Sequence, residues 1–205
     1  MQKISNLIDK SKYCIIFLQY YKIRESIMGE PTTEPNSQRK ITGNNLPLQT
    51  YELEERTSYL VEESKPKISL QMFSQEIKNG RKGLCICRSN PKRLREKYGL
   101  NDVHCIWLTR NHLDNEHCID PTNLSRLSIE LVNFIKESSN GIILMEGLEY
   151  LISQNSYQII LHFVQLINDK IMLNNSIIII PIDPMVLSER ELHLLERDMK
   201  LPDFL

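Results

Sequence analysis

From Tyr51 onward the chain alternates short apolar runs with longer amphipathic ones. "SYLVEE" (58–63) is a short β-rich run. Residues 66–79 set Ile68, Met72, Phe73 and Ile77 on one face at spacings of three and four, which predicts a helix. Gly80 and Gly83 close it, and "GLCICR" (83–88) reads as a second strand. Asn90-Pro91 puts a capping side chain ahead of a proline in the first turn, so "PKRLREKYG" is a short helix, closed by Gly99. "VHCIWLT" (103–109) is a third strand. Asp120-Pro121 repeats the cap-plus-proline start, and the helix after it carries Leu124, Leu127, Leu131, Phe134 and Ile135 on one stripe. "GIILMEG" (141–147) and "SIIIIPID" (176–183) are nearly continuous apolar runs, as strands buried on both faces are. Between them Ile160, Phe163, Val164, Ile167 and Ile171 mark a longer helix, and Ser188 with Glu191 forms a capping box for a last one.

Strands alternating with helices predict an α/β domain: a mainly parallel five-stranded sheet with helices on both faces, a three-layer sandwich. Ligands bind such sheets at the carboxyl ends of the strands. The loops after Val61, Ile86, Leu108, Met145 and Ile180 therefore form the expected functional rim.

Length and composition add boundaries. The chain has 205 residues, enough for one domain of about 150 residues plus an extension. Residues 28–50 are rich in Pro, Gly, Ser, Thr and Asn and poor in large apolar side chains, the signature of a flexible linker. Residues 1–27 read as an N-terminal helical extension with Leu7, Ile8, Ile15, Phe17 and Leu18 among its apolar members, and Met28 offers a second start. A single α/β domain then spans 51–205. The run "CIIFL" at 14–18 is far shorter than a membrane span, and no small-residue cleavage site follows it. Five cysteines, an odd number, argue against a disulfide scaffold and fit a reducing cytoplasm. A net charge of −1 gives no global pull toward nucleic acid or acidic substrates.

The loop after the first strand, Glu62-Glu63-Ser64-Lys65-Pro66-Lys67-Ile68-Ser69, stands where many α/β proteins grip phosphate. That grip needs G-x-x-x-x-G-K-[ST]: glycines let amides converge on phosphate oxygens, lysine neutralises charge, and the hydroxyl holds Mg²⁺. This loop has no glycine. Glu62 and Glu63 bring negative charge to the phosphate position, Pro66 removes a donor, and Ile68 replaces the hydroxyl.

The block "SYLVEESKPKISLQMFSQEIKNGRKGLCICRSNPKRLREKYGL" resembles the opening of KaiC-like ATPases of the RecA superfamily in its order of elements. The motifs "YLVEE", "RSNPKRLREKYGL", "IWLTR", "CIDPTNLSRLS", "GIILMEGLEYLI" and "IIIIPIDP", in that order, resemble an archaeal family, domain of unknown function family 835, over about 140 residues. The resemblance implies a RecA-like or Rossmann-like fold in archaea, often joined to signalling modules, with a degenerate phosphate loop and no known activity. In KaiC-like enzymes a second element, an apolar strand ending in Asp, holds the Mg²⁺ water shell. Here that strand ends in Glu146, which also suits a role as a cap for the helix that follows it.

Two other constellations bear on chemistry. Residues 78–97 hold Lys78, Arg81, Lys82, Arg88, Lys92, Arg93, Arg95 and Lys97 against one acid, Glu96. Such a cluster suits nucleic-acid phosphates or an acidic partner, with Arg88, Lys92, Arg93 and Arg95 as its centre. Cys85, Cys87, His104, Cys105, His112, His117 and Cys118 crowd one region, but only His112 and His117 have a metal-ligand spacing, and no pair of zinc knuckles is present. No catalytic residue, metal or cofactor is assigned. The expectation is a non-catalytic regulatory or protein-interaction module, working through a protein partner or self-association in the cytoplasm and not at a membrane. Two alternatives stand beside it: an atypical nucleotide-binding enzyme using Lys65, Lys67 and Glu146, and nucleic-acid binding through the basic cluster.

Overall fold

The computed structural model describes residues 51–111 and 113–203. The expectations for residues 1–27 and 28–50, and any role of His112, lie outside the described residues. Six strands and six α-helices appear among those described. In chain order they are β1 (Thr57–Glu62), α1 (Ile68–Lys78), β2 (Lys82–Cys87), α2 (Pro91–Tyr98), β3 (His104–Leu108), β4 (His117–Ile119), α3 (Leu124–Glu137), β5 (Gly141–Glu146), α4 (Leu148–Gln154), α5 (Tyr157–Met172), β6 (Ile177–Ile182) and α6 (Glu189–Glu196). A 3₁₀ turn, Pro184–Val186, follows β6.

The strands form one sheet in the order β1-β6-β5-β2-β3-β4, and every neighbouring pair is parallel. The sheet thus has six strands where the sequence pattern predicts five. The added one, β4, is three residues long and extends β3 at the edge through Ile106↔His117 to Leu108↔Ile119. A run that short carries no alternation from which a period can be read.

Alternation sorts the strand residues into two cores. Tyr59, Val61, Cys85, Cys87, Cys105, Leu144 and Ile179 pack on one face against Leu70, Met72 and Phe73 of α1 and Leu94 of α2. Leu60, Ile86, Ile106, Met145, Ile178 and Ile180 pack on the other against α3, α4, α5 and α6. Steps from β1 to β2 to β3 use the first face and the return through β5 to β6 uses the second, as right-handed crossovers require.

Two details shape the rim. β5 and β6 pair only from Ile142↔Ile177 to Leu144↔Ile179, while β6 continues beside β1 as far as Glu62↔Ile182. Pro181 sits in the part of β6 that has left β5, where its missing N–H deprives that neighbour of nothing. At the opposite margin, Lys200 pairs with the outer edge of β1: the Leu60 amide donates to the Lys200 carbonyl at 3.0 Å, and the Lys200 amide to the Ser58 carbonyl at 2.8 Å.

Candidate functional site

The carboxyl ends of the strands carry two carboxylate-centred constructions. The first is the β1–α1 loop. The opening amides of a helix have no intrahelical partner and point toward any anion placed there. Here the anion is the side chain of Glu63. Its Oε2 accepts from the amides of Lys67 (2.8 Å) and Ile68 (2.7 Å), and its Oε1 from that of Ser69 (3.0 Å). Pro66 leaves those three as the loop's converging donors. The side chains of Lys65 and Lys67 are exposed, while Ile68 packs against the core. The Ser69 hydroxyl is buried and finds no partner among the described residues.

The second lies between β2 and β5. From β2 the chain steps on to β3, and from β5 it steps the opposite way to β6, so these neighbours flank the point where the winding reverses. Ligands of open parallel sheets bind at such a point. Glu146, the last residue of β5, fills it. Its Oε2 accepts from the amides of Arg88 (2.8 Å) and Ser89 (3.1 Å), and its Oε1 from the Ser89 hydroxyl (3.0 Å). Burial pushes the Glu146 carboxyl up, against the opposing pull of the bonds from Ser89 and Arg88. Glu146 therefore caps the turn before α2, not the helix that follows it in sequence as expected. Gly147 makes that following turn with φ 136°, and a Cβ there would lie 3.2 Å from Leu108 and 3.3 Å from Arg88. Glu149, one turn on, accepts the Asp183 amide at 3.0 Å, and so ties α4 to the end of β6.

The wider basic stretch of the sequence is divided between the two ends of β2, with Arg88, Lys92, Arg93 and Arg95 at its carboxyl end and in α2. Lys82 and Arg81 stand at the amino end of β2 and Arg88 just past its carboxyl end, about 20 Å apart along a six-residue strand. Arg81 is ion-paired with Glu76 (2.9 Å) and Glu55 (3.4 Å). Arg88 stays exposed but is fastened at the rim: Nη1 donates to the Leu108 carbonyl at 3.1 Å, and the guanidinium lies 4.2 Å from the Tyr150 ring centroid. The Trp107 indole fastens the same residue by donating to its carbonyl at 3.0 Å. Arg95 forms a two-pronged pair with Glu116 at 3.2 and 3.0 Å. Lys92 and Arg93 are exposed. Lys65 and Lys67 follow β1 and Glu146 ends β5, two strands away across β6 in the sheet order.

The Cys and His region divides likewise. Cys85 and Cys105 are register partners in the core under α1 and α2. The Cys105 thiol is lowered to about 7, chiefly by the bond it receives from Cys85, with the Arg95 guanidinium adding to it, while Cys85 is pushed up. His104 and His117 meet on the opposite face, Nε2 to Nδ1 at 2.9 Å, and His117 reaches Glu130 at 3.1 Å. Burial, then His117, lowers His104. Among the described residues no group of three His, Cys, Asp or Glu could hold a metal ion.

Sequence reasoning placed Glu63 in the phosphate position but not on the amides. Its reach of four to six residues matches no local capping motif. The partners of Arg88 and Arg95 are 20 and 21 residues away, so nothing local announces them.

Residues 62–199 match the family described as "Protein of unknown function (DUF835)". The chain belongs to the DUF835 family. No curated protein matches it. The DUF835 chain is similar to a solved structure from Pyrococcus horikoshii OT3, described as a structural study, at 15% identity and a TM-score of 0.50. The likeness covers 72% of this chain and 81% of that one and concerns the fold. No described helix of the DUF835 chain is long and apolar enough to cross a membrane.

Proposed function

We propose that this DUF835 domain is a non-catalytic regulatory or protein-interaction module of archaeal signalling, on a RecA-like scaffold whose phosphate-binding loop no longer works. The observation that carries the reading is the carboxylate of Glu63 on three opening amides of α1. A nucleotide phosphate would have to displace a tethered anion of its own sign, and the loop supplies no glycine amides to surround what replaced it. The RecA-like assignment rests on element order, strand then loop then helix then strand, together with the parallel sheet. Glu146 supports the same reading, because its carboxylate oxygens already hold Arg88 and Ser89. A magnesium role would compete with those bonds. A cytoplasmic setting agrees with the four described cysteines, all free thiols.

Calorimetric titration with Mg²⁺–ATP tests it. The wild type should give no saturable binding up to roughly millimolar nucleotide, the upper end of common substrate affinities. Glu63→Ala should lose about 1–2 kcal/mol in urea unfolding, the worth of a helix cap, and still bind no nucleotide. Saturable binding by the wild type that Lys67→Ala abolishes would overturn the proposal.

A further inference from the structure

Helix α5 lies across the second face of the sheet with Ile160, Val164, Ile167 and Ile171 buried. Its opposite side should be polar, as the outer stripe of a surface helix is. Instead Ile159, Leu166 and, at the carboxyl cap, Leu173 are 51%, 45% and 74% exposed. They recur every seven residues, so they form one line with a drift of only about 20° per repeat. His162 and Asp169, both exposed, lie along the same flank of that line. Large apolar side chains scattered singly on a surface need no explanation, but three on a seven-residue repeat have the spacing at which one helix meets another.

The row is symmetric about its centre. Ile159 and Leu173 each stand seven residues from Leu166, about 10.5 Å along the axis. If two α5 helices lie antiparallel about a two-fold axis through Leu166, Leu166 meets its own copy and each Ile159 meets a Leu173. His162 then falls within about 1.5 Å axially of the other copy's Asp169. Both flanks lie on the same side after the rotation, so the imidazole faces a carboxylate twice. A self-complementary patch is what a two-fold interface requires. Lys170, half-buried, lies on the other flank of the row, away from the pair.

We infer that α5 is a homodimer interface, with Ile159, Leu166 and Leu173 of each copy meeting antiparallel about Leu166. This names a second copy of the chain as a partner of the interaction module proposed above. It depends on that reading only for its purpose, because self-association and nucleotide binding are measured separately.

Sedimentation of the full chain across a range of concentrations should show a monomer–dimer equilibrium. Leu166→Glu should weaken it about a hundredfold, since the change strikes the centre of the interface from both sides. Cysteine substitution fixes the geometry. Under mild oxidation Leu166→Cys should cross-link to itself and Leu173→Cys should not. A mixture of Ile159→Cys and Leu173→Cys should give the mixed product. A wild type that stays monomeric throughout overturns the inference. So does a dimer that survives Leu166→Glu, or one in which Leu173→Cys links to itself instead of to Ile159→Cys. Circular dichroism of Leu166→Glu matching the wild type excludes unfolding as the cause of a loss. A monomer that also fails to bind ATP removes this interface and leaves the proposed function standing.

Discussion

Glu63 and Glu146 are both carboxylates at strand ends, and both spend their oxygens on backbone amides of a neighbouring turn. They differ in what surrounds them. Glu146 is buried enough for desolvation to raise its carboxyl above the usual range even while Ser89 and Arg88 hold the charged form. The sign of the consequence follows from proton counts. Between the ordinary carboxyl range and the raised folded value, the native state keeps a proton that the unfolded chain has released, so stability falls as pH rises through that window. Glu146→Gln has no such proton. The stability of the wild type relative to Glu146→Gln should therefore decline as pH rises out of the ordinary carboxyl range. Urea unfolding at a series of pH values checks it, and a rising difference would contradict the assignment of desolvation as the dominant cause.

At the scale of elements, the rim is organised by how each strand hands over to its helix. Gly147 turns with φ 136°, a region open to glycine, and its missing side chain lets Leu108 and Arg88 close in. Gly147→Ala should cost about 1–3 kcal/mol from backbone strain and crowding, visible as a lower midpoint in thermal unfolding, whereas Gly99→Ala meets no neighbour within 4 Å among the described residues and pays for its φ of 67° alone. The elements were largely legible beforehand. The caps at Asn90 and Ser188 and the apolar runs of β5 and β6 act through neighbours within four residues, and the structure forms them where the pattern predicts. The start of α3 is a partial exception. Asp120 closes a turn onto Thr122, and Asn123 is the cap that begins the helix at Leu124. What the pattern left hidden depends on distance. Arg88 and Arg95 look like solvent-facing cations in the chain and become pinned by Leu108, Tyr150, Trp107 and Glu116 only once β2, β3 and β5 are side by side. β4 escaped because three residues cannot show a period.

For the molecule as a whole, the sheet has two margins, and they are managed differently. β4 is short, which limits what can pair with it. β1 is longer and is covered by Lys200 through two backbone bonds, with the Lys200 ammonium 2.7 Å from Glu54 beyond them. Removing the residues after Met199 should cost about 1–3 kcal/mol for the two lost bonds and leave β1 open to pairing between chains. The measurement is the urea midpoint together with light scattering at moderate temperature, where the shortened chain should scatter more.

The tethered oxygen pair at the start of α1 has a bearing on physiology. A domain that needs ATP to finish its fold changes shape when the cell runs short of energy. In this one the completing anion is part of the polypeptide, always at hand and never consumed, so the first crossover is the same in famine as in growth. On the function proposed above, a signal would reach the domain by touch, through whatever binds its surface, and not through the charge state of the nucleotide pool.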